Sequence, residues 1–174
     1  MQPFRRLTLV SLAAMTLITG CGTATGDSGP ASDGAGEVSA EPLQFTAQTI
    51  GDESFEGSSL TAKDSVLWFW APWCTECRRE APGLAAVQAG AGDEVTFVGV
   101  AGLGEIPEMQ AFVEDYELAA FPHLADVDGS IWSRFGISRQ PAYAFIDDSG
   151  EVEVVRGVLG EQGLADRVAE LTAR

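Results

Sequence analysis

The stretch SVLWFWAPWCTEC, residues 65–77, limits what this chain can fold into more than any other segment. Ser65 to Ala71 is a near-continuous apolar run of β-type residues with no wet face. Such a run suits a strand in the middle of a sheet, covered on both sides. Pro72 ends it, because proline has no N–H for the ladder. From Thr75 to Ala89 the pattern turns helical, with Ala81, Leu84, Ala85 and Gln88 on one face. Pro82 is expected to kink or break that helix. Cys74 and Cys77 therefore fall where a buried strand gives way to a helix.

The rest of the chain supplies the partners for that strand. Leu43, Phe45 and Ala47 alternate with polar residues and predict a strand, and 55–57 a short extended piece. Residues 94–101, EVTFVGVA, predict a second buried strand. Residues 106–118 are amphipathic, with Pro107 suited to the first helical turn. A short strand at 121–124, a turn at 126–129 and one or two helical turns at 130–135 follow. After Pro141 come a strand at 142–146, a hairpin turn at 147–150, a return strand at 151–156 and a closing helix at 162–173. Parallel βαβ units followed by an antiparallel hairpin make an α/β sandwich with a mixed central sheet.

The first 20 residues stand apart. MQPFRR is a short basic start, and residues 7–18 are an apolar run of twelve. That is too short to span a bilayer, which takes about 20 residues, and it fits a signal peptide. Ile18-Thr19-Gly20-Cys21 resembles a bacterial lipobox, which implies cleavage before Cys21 and lipid attachment there. Residues 21–42 are rich in Gly, Ala, Ser, Thr and acids and read as a flexible tether reaching roughly 25 Å. The folded domain is expected at 43–174. With 26 acids against ten bases, the chain has a net charge of −16. Nucleic acid is excluded as a partner, because a phosphate backbone is bound through clustered Lys and Arg.

A cysteine at a helix start faces unpaired N–H groups and the positive end of the helix dipole. Both favour the thiolate, so Cys74 is placed to be the nucleophile. Cys77, one turn on, is placed to attack a mixed disulfide at Cys74. Metal readings compete. A structural zinc site needs four ligands, and the domain offers this pair and one histidine, His123. A Cu(I) carrier is the stronger rival, since soft thiolates select Cu(I). A purely structural disulfide ranks last, because so small a loop stabilises little. The Asp126-Val127-Asp128-Gly129 segment lacks the later glutamate of a calcium loop and reads as a turn.

Val66 to Cys77, with Glu80-Ala81-Pro82 after it, resembles the active-site segment of the thioredoxin superfamily in its TlpA/ResA branch. Asp126 to Gly129, Arg134-Phe135-Gly136-Ile137 and Gln140-Pro141-Ala142 carry the same resemblance. Within it, the chain is most similar to exported disulfide-bond (DsbE/DsbF-type) lipoproteins of high-GC Gram-positive bacteria. The resemblance implies a thioredoxin-like three-layer α/β/α sandwich. It implies that Cys74 attacks and Cys77 resolves. Pro141 is implied to be a cis-proline facing the disulfide, with the backbone of Gln140 pairing with a substrate strand. Trp73 is implied to flank the sulfurs, and Glu80 to move a proton at Cys77.

The expected activity is extracytoplasmic thiol–disulfide exchange, oxidising cysteine pairs in exported proteins through a Cys74–Cys77 disulfide. The alternative is a reductase serving cytochrome c maturation or a similar process. No cofactor or metal is expected beyond the cysteine pair. Expected partners are exported cysteine-containing proteins and a membrane redox partner that recycles the disulfide. The protein is expected as a monomer, lipid-anchored to the outer face of the cell membrane. Glu76 disfavours the thiolate while Arg78 and Arg79 favour it, and their spacing alone leaves the sum unsigned.

Overall fold

The structure, a computed structural model, describes residues 41–174. The expected signal peptide, the lipid attachment at Cys21 and nearly all of the expected tether lie outside the described residues. In chain order there follow a 3-10 turn Glu41–Leu43, β1 Thr46–Gln48, β2 Ser54–Glu56 and a second 3-10 turn Gly57–Leu60. Next come β3 Ser65–Trp70, α1 Thr75–Ala91, β4 Thr96–Gly102, α2 Ile106–Asp115, β5 His123–Asp126 and α3 Ser130–Arg134. The chain ends in β6 Ala142–Ile146, β7 Val152–Arg156 and α4 Gly160–Thr172.

Five strands form one sheet in the order β5-β4-β3-β6-β7. β3, β4 and β5 run parallel, and β6 and β7 are antiparallel to their neighbours. β1 and β2 pair with each other and close one sheet edge, through a bridge from Thr49 to Leu124 and an Ile50 N–H bond to the His123 carbonyl at 2.8 Å. Covering an edge this way leaves fewer unpaired backbone groups.

β3 is the centre, and every one of its residues is buried. Its side chains alternate between two cores. Val66, Trp68 and Trp70 meet Leu84 of α1, Phe112 of α2 and Leu164 of α4. Leu67 and Phe69 meet Ile131 and Trp132 of α3, together with Leu43 and Leu60. The three-layer α/β/α sandwich with a mixed central sheet is thus the form the chain takes. On the first face an aromatic stack runs outward: Trp70 on Phe112 at 4.3 Å, then Phe112 on Tyr116 at 4.6 Å. Each such pair adds about 0.5–1.5 kcal/mol beyond the area it buries.

Three expectations shift. Helix α1 continues through Pro82 rather than breaking there. Pro82 and Arg78 are both exposed, so water can serve the Arg78 carbonyl that proline leaves unpaired. Helix α2 stops at Asp115 rather than 118. Glu117 turns left-handed at φ 55°, and the Leu118 N–H returns to the Val113 carbonyl at 2.9 Å. That is a Schellman-type stop, which buries Leu118 just past the helix. The first strand is shorter than 43–47 and belongs to a hairpin, with Leu43 already buried in the turn before it.

His123 begins β5 opposite Gly99 of β4. A Cβ at Gly99 would stand 2.0 Å from the imidazole Nδ1, so this site requires glycine. The other ring nitrogen, Nε2, lies 3.0 Å from the Leu118 carbonyl. A carbonyl can only accept, so Nε2 carries the hydrogen and Nδ1 faces the Gly99 backbone without a partner.

Candidate active site

β3 delivers the chain to the sheet end where α1 starts. Cys74 is the N-cap of α1, in extended conformation at φ −74° and ψ 114°. Its Sγ accepts the Cys77 N–H at 3.1 Å, doing the work a serine or aspartate oxygen does at other helix starts. Cys74 and Cys77 form a disulfide with Cα atoms 5.3 Å apart. Cys74 is 4% exposed and Cys77 0%. An incoming thiolate therefore reaches Cys74 and not Cys77. When the bond opens, the N–H groups and dipole of α1 favour negative charge on Cys74.

The flanking charges sort themselves by pairing. Glu76 pairs with Arg79 one turn on, so its charge is offset within the helix surface. Arg78 instead donates from Nη2 to the Pro72 carbonyl at 2.7 Å, two residues before Cys74. The balance nearest Cys74 is positive, a sign that spacing alone left open. Both arginines are exposed, so the contribution is tenths of a kcal/mol rather than several.

The Gln140–Pro141 peptide bond is cis. β6 pairs with β3 so that Ala142 lies opposite Phe69. Pro141 therefore stands level with Trp70, at the sheet end from which the Cys74 loop emerges. Pro141 is buried, Gln140 half-buried, and the Pro141 carbonyl accepts from Gly157 N–H at 2.9 Å. Trp73 is 55% exposed beside Cys74, and its indole Nε1–H donates to the Leu103 carbonyl at 2.7 Å. Leu103 sits in the left-handed region at φ 55°, which costs a residue other than glycine about 1–2 kcal/mol.

Glu80 lies on α1 one turn beyond Cys77 and is 6% exposed. Its Oε1 accepts from the backbone N–H groups of Leu159 at 2.7 Å and Gly160 at 3.0 Å, capping α4 from across the fold. Its Oε2 is buried with no hydrogen-bond partner. Burial, followed by the Glu80 charge, pushes the Tyr143 hydroxyl well above its usual range. Tyr143 and the Leu159–Gly160 backbone are parts of this site that sequence reasoning missed. Backbone donors leave no side-chain signature, and Tyr143 reads simply as an alternate residue of a buried strand.

His123 is not gathered with the cysteines. It stands two strands away from β3, level with Trp68 and with its ring 5.6 Å from that of Trp70, and burial holds its imidazole down at about 4. Among the described residues no group of three or more His, Cys, Asp or Glu is arranged to hold a metal ion.

Comparison with known proteins gives the site its context. Residues 38–155 match the model of the AhpC/TSA family. The solved structure of MTB dsbF, in mixed oxidised and reduced forms, is 52% identical, with a TM-score of 0.74, and the match covers 77% of this chain and 98% of that one. A secreted Mycobacterium tuberculosis disulfide oxidoreductase homologous to E. coli DsbE is 43% identical, with a TM-score of 0.71, covering 75% of this chain and 98% of that one. The thiol-disulfide oxidoreductase ResA of Oceanobacillus iheyensis is 30% identical over 67% of this chain and 62% of its own length.

Proposed function

The chain belongs to the AhpC/TSA family and is a thioredoxin-like thiol–disulfide oxidoreductase; we propose that it works as an oxidant of cysteine pairs in exported proteins. The observation that carries this direction is Cys74 at the N-terminus of α1, its sulfur already accepting a backbone N–H. Whatever stabilises the Cys74 thiolate stabilises the dithiol state, and a stabilised dithiol makes its disulfide a stronger oxidant.

The exchange proceeds in two displacements. A client thiolate attacks the Cys74 sulfur, a mixed disulfide forms, and Cys77 leaves as a thiolate. Glu80 supplies and recovers the Cys77 proton through Oε2, the carboxylate oxygen that the α4 cap does not occupy. The second client thiolate then attacks the client sulfur of the mixed disulfide, and Cys74 leaves with the electron pair. The client has lost two electrons and two protons, and the protein holds them as a dithiol. The cysteine pair takes both electrons, so no further cofactor enters this reaction. A membrane redox partner takes the electrons on, with Cys77 resolving the mixed disulfide it leaves at Cys74.

Gln140 beside cis Pro141 offers the client an extended backbone to pair with, and Trp73 covers one side of the sulfurs. In this reading the protein works outside the cytoplasmic membrane as a monomer, held there by lipid on Cys21. Among the described residues no helix is long and apolar enough to cross a membrane.

The test uses the oxidised full chain and a reduced, unfolded protein with several cysteines. Free thiols are counted on the client after separation. About one client disulfide per protein molecule is expected, with the protein recovered as the dithiol. Client thiols that stay free, while the reduced protein opens the same client's disulfides, would reverse the assigned direction.

A further inference from the structure

Among the described residues, five large apolar side chains are exposed: Trp73, Leu103, Ile106, Val127 and Val158. Each follows the C-terminal end of β3, β4, β5 or β7. β7 is antiparallel to β6, and β6 to β3, so all four of these ends lie on one side of the sheet. The exposed apolar residues therefore lie at the sheet end that carries the disulfide, with Trp73, Leu103 and Ile106 following the neighbouring strands β3 and β4.

Within that set, Trp73 and Leu103 are built as a unit. The indole N–H of Trp73 is bonded to the Leu103 carbonyl. The next residue, Gly104, is packed so closely on Pro72 that a Cβ there would stand 2.5 Å from Pro72 Cγ. The β4–α2 loop is thus locked to the segment that carries Cys74. Leu103 holds a left-handed backbone, which a γ-branched residue adopts at a cost, and yet its side chain is 53% exposed. A strained backbone that turns leucine outward gains nothing from core burial. Such conformations persist where the surroundings enforce them, and they cluster at functional sites.

We propose that Leu103 and Trp73 form an apolar ledge that selects clients with a large apolar side chain next to the cysteine to be oxidised. The occupant is an extended, cysteine-containing segment of an unfolded client, because Trp73 directly precedes Cys74 and is bonded to Leu103, so the ledge flanks the sulfur such a segment must reach. The inference rests on the client-oxidase reading above and adds the chemistry of the segment chosen.

Two dithiol peptides test it, identical except for Leu or Ser immediately before the first cysteine. Each is mixed with the oxidised full chain, and formation of the peptide disulfide is followed by chromatography. The leucine peptide is expected to react about tenfold faster, the gain from covering much of one leucine side chain. Leu103→Gly adopts the same backbone freely and is expected to bring that ratio to within about twofold of one. Leu103→Asn, which also tolerates the left-handed region, is expected to do the same. The ratio is the readout because a change in the disulfide's own reactivity cancels from it. Equal rates for the two peptides with the native protein would overturn the ledge. So would a ratio that survives both substitutions. If neither peptide is oxidised at all, the client-oxidase reading has failed and the ledge fails with it.

Discussion

Serine at position 74 lowers client oxidation by roughly a thousandfold or more, because it removes the one sulfur an incoming thiolate can reach. Cys74 has the only measurable exposure of the pair, and Cys77 has none. Serine at position 77 has a different result. Its Cys74 is a free thiol at a helix start, still able to attack a disulfide. Nothing remains to resolve the product, so Cys77→Ser accumulates a stable mixed disulfide with an oxidised client. Mass spectrometry of the two variants, after incubation with a disulfide-bonded peptide, separates them. The adduct is expected on Cys77→Ser and not on Cys74→Ser. An adduct on Cys74→Ser alone would mean that attacker and resolver have been exchanged, and an adduct on both would mean that either thiol can attack.

The second large effect is on stability rather than turnover. The imidazole of His123 is 3% exposed, and burial, only partly opposed by its bond to the Leu118 carbonyl, lowers its pKa to about 4. A proton added at Nδ1 would point at the Gly99 backbone, where there is no acceptor. The unfolded chain, with an ordinary histidine near 6.5, takes that proton more readily than the folded one. Stability is therefore full above pH 6.5 and falls as pH drops towards 4. The slope is about 1.4 kcal/mol per unit and the total about 3 kcal/mol. This is the chain's one histidine, so no other imidazole contributes in that window. Urea denaturation at steps from pH 7.5 to 4.5, for the native chain and for His123→Phe, gives the difference directly. The native curve is expected to fall more steeply than the variant's from pH 6.5 downward. Two parallel curves would show that His123 is not held neutral in the fold.

The central strand and the place of the cysteines were legible because β3 is buried on both faces and carries no polar residue between Val66 and Ala71. Pro72 then fixed where the strand ends, and the helical spacing after Cys77 supplied α1. The β1–β2 hairpin was less visible. Each strand is three residues long and only half-buried at its centre, too short for alternation to identify the pair. The end of α2 was overrun because Leu118 continues the apolar spacing of the helix while its backbone has already turned back.

At the site, residue types were readable and their partners were not. A cis bond before Pro141 was implied by family resemblance alone, since about 5–6% of X–Pro bonds are cis in folded proteins. The net effect of Glu76, Arg78 and Arg79 needed pairing geometry. Once Glu76 pairs with Arg79 and Arg78 turns to the Pro72 carbonyl, the sign follows. The strained backbone of Leu103 leaves no mark in composition or spacing, although it forms the wall beside Trp73.

The direction of electron flow rests on how far the fold stabilises the Cys74 thiolate over the disulfide. The equilibrium reduction potential of the Cys74–Cys77 pair, measured against a glutathione series, reads that difference directly. Each 30 mV or so corresponds to about 1.4 kcal/mol. A value towards the oxidising end of the thioredoxin-like range, about −120 mV, is the expected result and marks a disulfide donor. A value near about −270 mV would mean that the pair delivers electrons to its clients, contradicting the account.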